Sequence, residues 1–162
     1  MVDATTDSKN IFIKHIDKST IWVISRLGAA HSALLKESII DNPNADTYGT
    51  ELKNPLIISS IKVNTIDFII AYLEFYKCNI EAPAPDHPIK NIHISIILDK
   101  EYHLFKDLYN DTDTIKVKIL KLNDHIETSM HFGIKHLHKK LCVIIAFILK
   151  DLSSLDIQKL SE

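Results

Sequence analysis

The chain has 162 residues, enough for one compact domain or a small domain with a helical appendix. Hydrophobic residues make up 46% and charged residues 25%, which places it with globular rather than disordered chains. A formal net charge of −2 gives no broad pull towards nucleic acid or an anionic membrane, and three glycines are too few for a glycine-rich phosphate cradle.

The chain starts MVDATTDSKN, which has neither the apolar stretch of a signal peptide nor the Arg-rich face of a transit peptide. No apolar run approaches the roughly 20 residues that span a bilayer. The expected location is therefore cytoplasmic and nuclear. Residues 11–16 and 20–25 are two short β-branched runs separated by Asp17-Lys18-Ser19, and together they predict a hairpin. A short helix is expected over 31–40, with Leu34, Leu35 and Ile39 on one side. Residues 41–54, with Pro43 and Gly49, read as a polar loop, and 55–58 as an edge strand.

Asn64 is placed to cap the next helix, with Asp67 three residues on in a capping box. That helix runs to about Lys77 on Ile66, Ile69, Ile70 and Leu73. Residues 81–85 (EAPAP) end it as extended loop, and 86–98 alternate in a way that fits a strand weakly. From about Asp99 the spacing is helical, interrupted near Asn110-Asp111 and again at Gly133. In the last long helix Ile134, Leu137, Leu141, Ile145, Ile148 and Leu152 form one apolar stripe. Val143, Ile144, Phe147 and Leu149 lie off its centre, so the helix is apolar nearly all round. Either the final segment, 153–162, folds back over the second side, or a partner covers it; the slight apolar face of that segment favours the partner.

Candidate chemistry is sparse. Nine histidines invite a metal reading, yet His136 and His138 point to different faces and no HExxH, CxxC or CxxH spacing occurs. Cys78 and Cys142 lie among apolar residues and read as reduced core thiols rather than a disulfide. Asp107, Asp111 and Asp113 fall in a loop and read as a solvated turn, and Lys135, Lys139 and Lys140 as a solvated helix face. No nucleophile motif is present, so the chain is expected to be no enzyme, to need no cofactor or metal, and to bind neither nucleic acid nor membrane.

The order of hairpin, short helix, polar loop, edge strand, helix, proline loop and C-terminal helices resembles the BTB/POZ fold. Residues 133–160, GIKHLHKKLCVIIAFILKDLSSLDIQKL, are similar without a gap to the C-terminal segment of the S-phase kinase-associated protein family (Skp-type adaptors of SCF ubiquitin ligases). Ile134, Lys135, Leu137, Cys142, Ala146, Lys150, Ile157 and Lys159 match in place. Upstream, VNTIDFIIAYLEFYKCNIEAPAP resembles the family helix that ends in a lysine before a proline run, and Ser32 to Lys36 resemble its early helix.

The resemblance implies an α+β, BTB/POZ-like domain over 1–132, a small β-sheet with surrounding helices, and a C-terminal helical receptor-binding extension over 133–162. It implies an adaptor that bridges a cullin scaffold to an F-box protein. By position, Ile134, Leu137, Cys142, Ile145, Leu149, Ile157 and Leu160 would bind the F-box. Leu35, Ile39, Met130 and His131 would face the cullin. An elongin-C-like adaptor, or a POZ module forming a homodimer through its POZ face, is the alternative.

Overall fold

A computed structural model describes residues 10–42, 47–78, 101–108, 112–150 and 152–154. The architecture is α+β, and the chain forms two compact units. One comprises Met1–Glu81 with Thr128–Ile134, the other Ala82–Glu127 with Lys135–Glu162. Each unit is discontinuous in sequence, where a single boundary after residue 132 was expected; that boundary falls two residues before the last crossing, at 134/135.

In the first unit β1 (Ile11–His15) and β2 (Ile21–Ile24) make the expected antiparallel hairpin, and β3 (Leu56–Ile58) lies parallel to β1 on its other side. The sheet order is β2-β1-β3, so β3 is an edge of the described sheet. Alternation decides the faces: Ile11, Ile13 and His15 are buried, with Phe12 and Lys14 on the opposite face. His15 is 2% exposed, and its bonds fix the tautomer. Its Nε2–H donates to the Ile61 carbonyl at 3.0 Å, while Nδ1 accepts from the Asp17 N–H at 3.1 Å.

α1 (Arg26–Ala29), which the sequence did not announce, is capped by the Ser25 hydroxyl, which accepts from the Gly28 N–H at 3.1 Å. It packs on α3 (Ile66–Tyr76), which also packs on β2. A Cβ at Gly28 would stand 3.1 Å from the Leu73 carbonyl oxygen, so a larger residue there would push the two helices apart. The helix expected over 31–40 begins at Ser32, whose hydroxyl accepts from the Leu35 N–H at 3.3 Å. After α2 (Ala33–Leu35) it widens into a π-helical turn, Lys36–Ile40, closed by the Asp41 N–H donating to the Lys36 carbonyl at 2.8 Å.

The capping box expected at Asn64 is not what starts α3. A 3-10 turn, Val63–Thr65, precedes it, and no side chain caps the helix. Thr65 is drawn elsewhere: its hydroxyl donates to the Lys62 carbonyl at 2.7 Å and meets the Thr128 hydroxyl at 2.7 Å. Since Thr65 has one proton to give, Thr128 donates in that contact. Asp67 instead accepts from the Trp22 indole N–H at 2.7 Å.

The second unit is helical in its described part: α4 (Tyr102–Phe105), most of α5 (Ile115–His131) and α6 (Lys135–Leu149). Its buried apolar residues include Phe105, Leu122, Leu137, Leu141 and Ile144. The break expected at Gly133 separates α5 from α6. The Ile134 N–H reaches the Ser129 carbonyl at 2.9 Å and the Gly133 N–H the Met130 carbonyl at 3.0 Å, a Schellman motif. Gly133 takes the left-handed φ of 65° that this motif needs. The expected strand at 86–98, the proline loop at 81–85 and the break at 110–111 lie outside the described residues.

Candidate functional site

The last turn of α5 and the three residues after it belong to the first unit and are tied to α2. The Ser32 hydroxyl donates to the Phe132 carbonyl at 2.6 Å, and the Leu34 N–H donates to the same oxygen at 3.3 Å. This clasp holds Met130 and His131 at the surface. Met130 is 63% exposed, more than any other large apolar residue among those described, and His131 is half-buried with its ring edge-on to Phe132.

The other residues expected to face a cullin behave differently. Leu35 and Ile39 are buried, because α2 and the π-helical turn direct them into the core. As placed, they offer no area to a partner and act through packing. The surface available at this end is Met130 and His131.

The residues expected to face a receptor divide in the same way. Ile134 and Leu137 are buried within the chain, Cys142 is exposed, and Ile145 and Leu149 are half-buried. Ile157 and Leu160 lie outside the described residues. The division follows from helical phase. Leu137, Lys140, Leu141 and Ile144 form the buried side of α6. Cys142, Ile145 and Leu149 step by three and four along a second stripe about 120° round the helix, at about 100° per residue. That stripe is partly open, with exposed Ala146 beside it. On the far side of the helix from that stripe, Phe147 has the Lys150 ammonium 4.1 Å from its ring centre.

Two readings of residue type need correction. Cys78 and Cys142 are free but exposed rather than in the core, since α3 ends at Tyr76 and Cys142 falls on the open stripe. Lys140, read as part of a solvated face, is 5% exposed and donates to Glu101 Oε1 at 2.5 Å, with Glu101 also 5% exposed. Nothing local to Lys140 announces this, because its partner lies 39 residues upstream. Burial pushes the Glu101 carboxyl above its ordinary value, and the Lys140 ammonium only partly opposes this.

Other groups sit in well-defined fields. Burial lowers His125, partly offset by the Lys121 carbonyl, to which its Nδ1–H donates at 2.6 Å, and by the Asp124 charge. Burial alone would raise Glu74, but hydrogen bonds from Ser25 and the Lys77 ammonium outweigh it and hold the carboxyl below its ordinary value. Asp113, of the expected solvated turn, pairs with Lys121 at 2.7 Å.

Among the described residues no group of three or more His, Cys, Asp or Glu side chains is placed to hold a metal ion, and no helix is long and apolar enough to cross a membrane. A second apolar surface, not foreseen from sequence, lies on the outer face of the sheet. There Val23 is 45% and Ile57 46% exposed, with Phe12 and Ile21 half-buried beside them. Its signal in the sequence was the absence of polar alternation in the hairpin strands, where both faces carry apolar residues. No protein-family model matches the chain, and no curated protein matches it in sequence.

Proposed function

We propose that the chain is an adaptor subunit of an SCF-type ubiquitin ligase, with a BTB/POZ-like fold, bridging a cullin to an F-box protein and doing no chemistry itself. The observation that carries this reading is the second apolar stripe of α6. Cys142, Ile145 and Leu149 stay partly open there, within the segment whose residues resemble the family without a gap. A helix in a chain this small keeps such a stripe at a cost unless something covers it, and the face of an F-box helix is apolar in the complementary sense.

Met130 and His131 supply the cullin end of the reading, through exposed area fixed by the Ser32–Phe132 clasp. Bridging raises the effective concentration of a receptor-bound substrate at the ligase without any new contact to the substrate. Receptor affinity then depends on a few anchors in the stripe rather than on the whole of α6.

The test is capture of the chain by an immobilised F-box segment. Ile145→Asp or Leu149→Asp abolishes capture while far-UV circular dichroism stays unchanged. Capture that survives both substitutions removes this stripe as the receptor surface, and a parent chain that is never captured removes the F-box reading itself.

A further inference from the structure

The open stripe of α6 begins one turn before Cys142, at His138. His138 Nε2 lies 3.7 Å from Cys142 Sγ, in an exposed contact. The spacing is i, i+4, the same that lets two histidines of a helix share one zinc ion. Two donors of one tetrahedral zinc, with Zn–S about 2.3 Å, Zn–N about 2.0–2.1 Å and a tetrahedral angle between them, stand about 3.6 Å apart. The thiol and the imidazole are therefore already separated by the bite of a tetrahedral ion, with no change of backbone needed.

We infer that His138 and Cys142 form a two-donor site for a borderline-soft divalent cation of the Zn2+ class. The donor set is right for it: a thiolate and an imidazole suit zinc and disfavour calcium or magnesium, which take oxygen. Ligation uses Nε2, the nitrogen that faces Cys142, while Nδ1 is buried with no hydrogen-bond partner among the described residues. On binding, the Cys142 thiol gives up its proton to solvent and the metal–sulfur bond takes its place, while the neutral ring donates the Nε2 lone pair.

The remaining coordination positions face outward from the stripe and are filled by water or by donors of another molecule. Exposed Lys135 and Lys139 flank the pair, so attraction comes from the thiolate rather than from a surrounding negative field. The pair reads His-x-x-x-Cys, a spacing that HExxH, CxxC and CxxH do not cover.

The experiment uses the full chain carrying Cys78→Ser, which leaves Cys142 as its single thiol. Titration with Co2+ gives a near-ultraviolet thiolate-to-metal band that saturates at one ion per chain and is bleached by Zn2+. His138→Ala, with unchanged far-UV circular dichroism, loses the saturating band, and adding Cys142→Ser leaves none. No band in the Cys78→Ser chain overturns the site, and so does a band of equal strength and affinity after His138→Ala. A second measurement needs no change at His138: stoichiometric Zn2+ slows alkylation of Cys142 by iodoacetamide, and an unchanged rate overturns the proposal.

Discussion

The unit built on the sheet buries hydroxyls and a neutral imidazole, whereas the helical unit buries an ion pair and a second histidine. In the first, Ser32, Thr65, Thr128 and His15 are all closed off from solvent, and their hydrogen bonds include the Phe132, Lys62 and Ile61 carbonyls and the Thr65–Thr128 contact. In the second, Lys140 meets Glu101 with each residue 5% exposed. Neutral hydrogen bonds contribute modestly and cost little to bury, whereas charges taken out of water recover their desolvation only from their partner. Among the described residues, the first unit buries small neutral contacts and the second buries the Lys140–Glu101 pair. Titration follows the same division. Glu74, held below its ordinary value of 4.5, contributes stability that is lost as pH falls through the window beneath it. Glu101, raised above 4.5, has the opposite sign: its contribution is present at low pH and is lost as pH rises through the window above.

The largest expected effect breaks the pair. Lys140→Met removes the ammonium that meets the buried Glu101 carboxylate and costs about 3–5 kcal/mol in urea unfolding, while Lys140→Met with Glu101→Leu recovers most of the loss. The penalty of the single substitution shrinks in acid, where Glu101 takes a proton. A Lys140→Met chain as stable as the parent at neutral pH means the pair is not dry, and the contrast between the units fails.

A smaller effect tests the clasp of the first unit. Gly133→Ala must hold a left-handed φ and brings a Cβ to within 2.7 Å of the Ala33 Cβ. The backbone cost alone is about 1–2 kcal/mol, and the crowding adds to it. A melting temperature unchanged from the parent shows that α2 and this turn move apart freely.

The smallest effect is a slope. The folded chain binds fewer protons at His125 than the unfolded chain in the window below the ordinary value of 6.5, so stability rises with pH through it and falls as pH drops. His125→Gln flattens that part of the stability–pH curve, measured by urea midpoints at successive pH values. A curve of unchanged slope removes His125 from the account.

The sequence made some elements legible because their causes are local. Two β-branched runs around Asp17-Lys18-Ser19 require a hairpin, and Gly133 after a long periodic stretch marks the end of a helix. It misled where the cause is distant. Asn64 is a better cap by type than Thr65, but Thr65 has a partner at Thr128, 63 residues away. Lys140 looks solvated beside Lys139 until Glu101 is folded against it. Phase within α6 separated Leu137, which is buried, from Ile145 and Leu149, which are not; a list of apolar residues cannot do that without knowing which side meets the core. The π-helical turn at Lys36–Ile40 has no signature in residue type.

One contact at the sheet bears on what its edge offers to another strand. The Ile57 N–H, on the outer edge of β3, donates to the Tyr48 hydroxyl at 3.3 Å. An unpaired edge donor beside an exposed apolar side chain such as Ile57 is a template onto which an extended segment of a second molecule can add. The tyrosine occupies that donor with a side chain that cannot propagate a ladder. Strand addition at this edge of the described sheet must first displace the tyrosine hydroxyl.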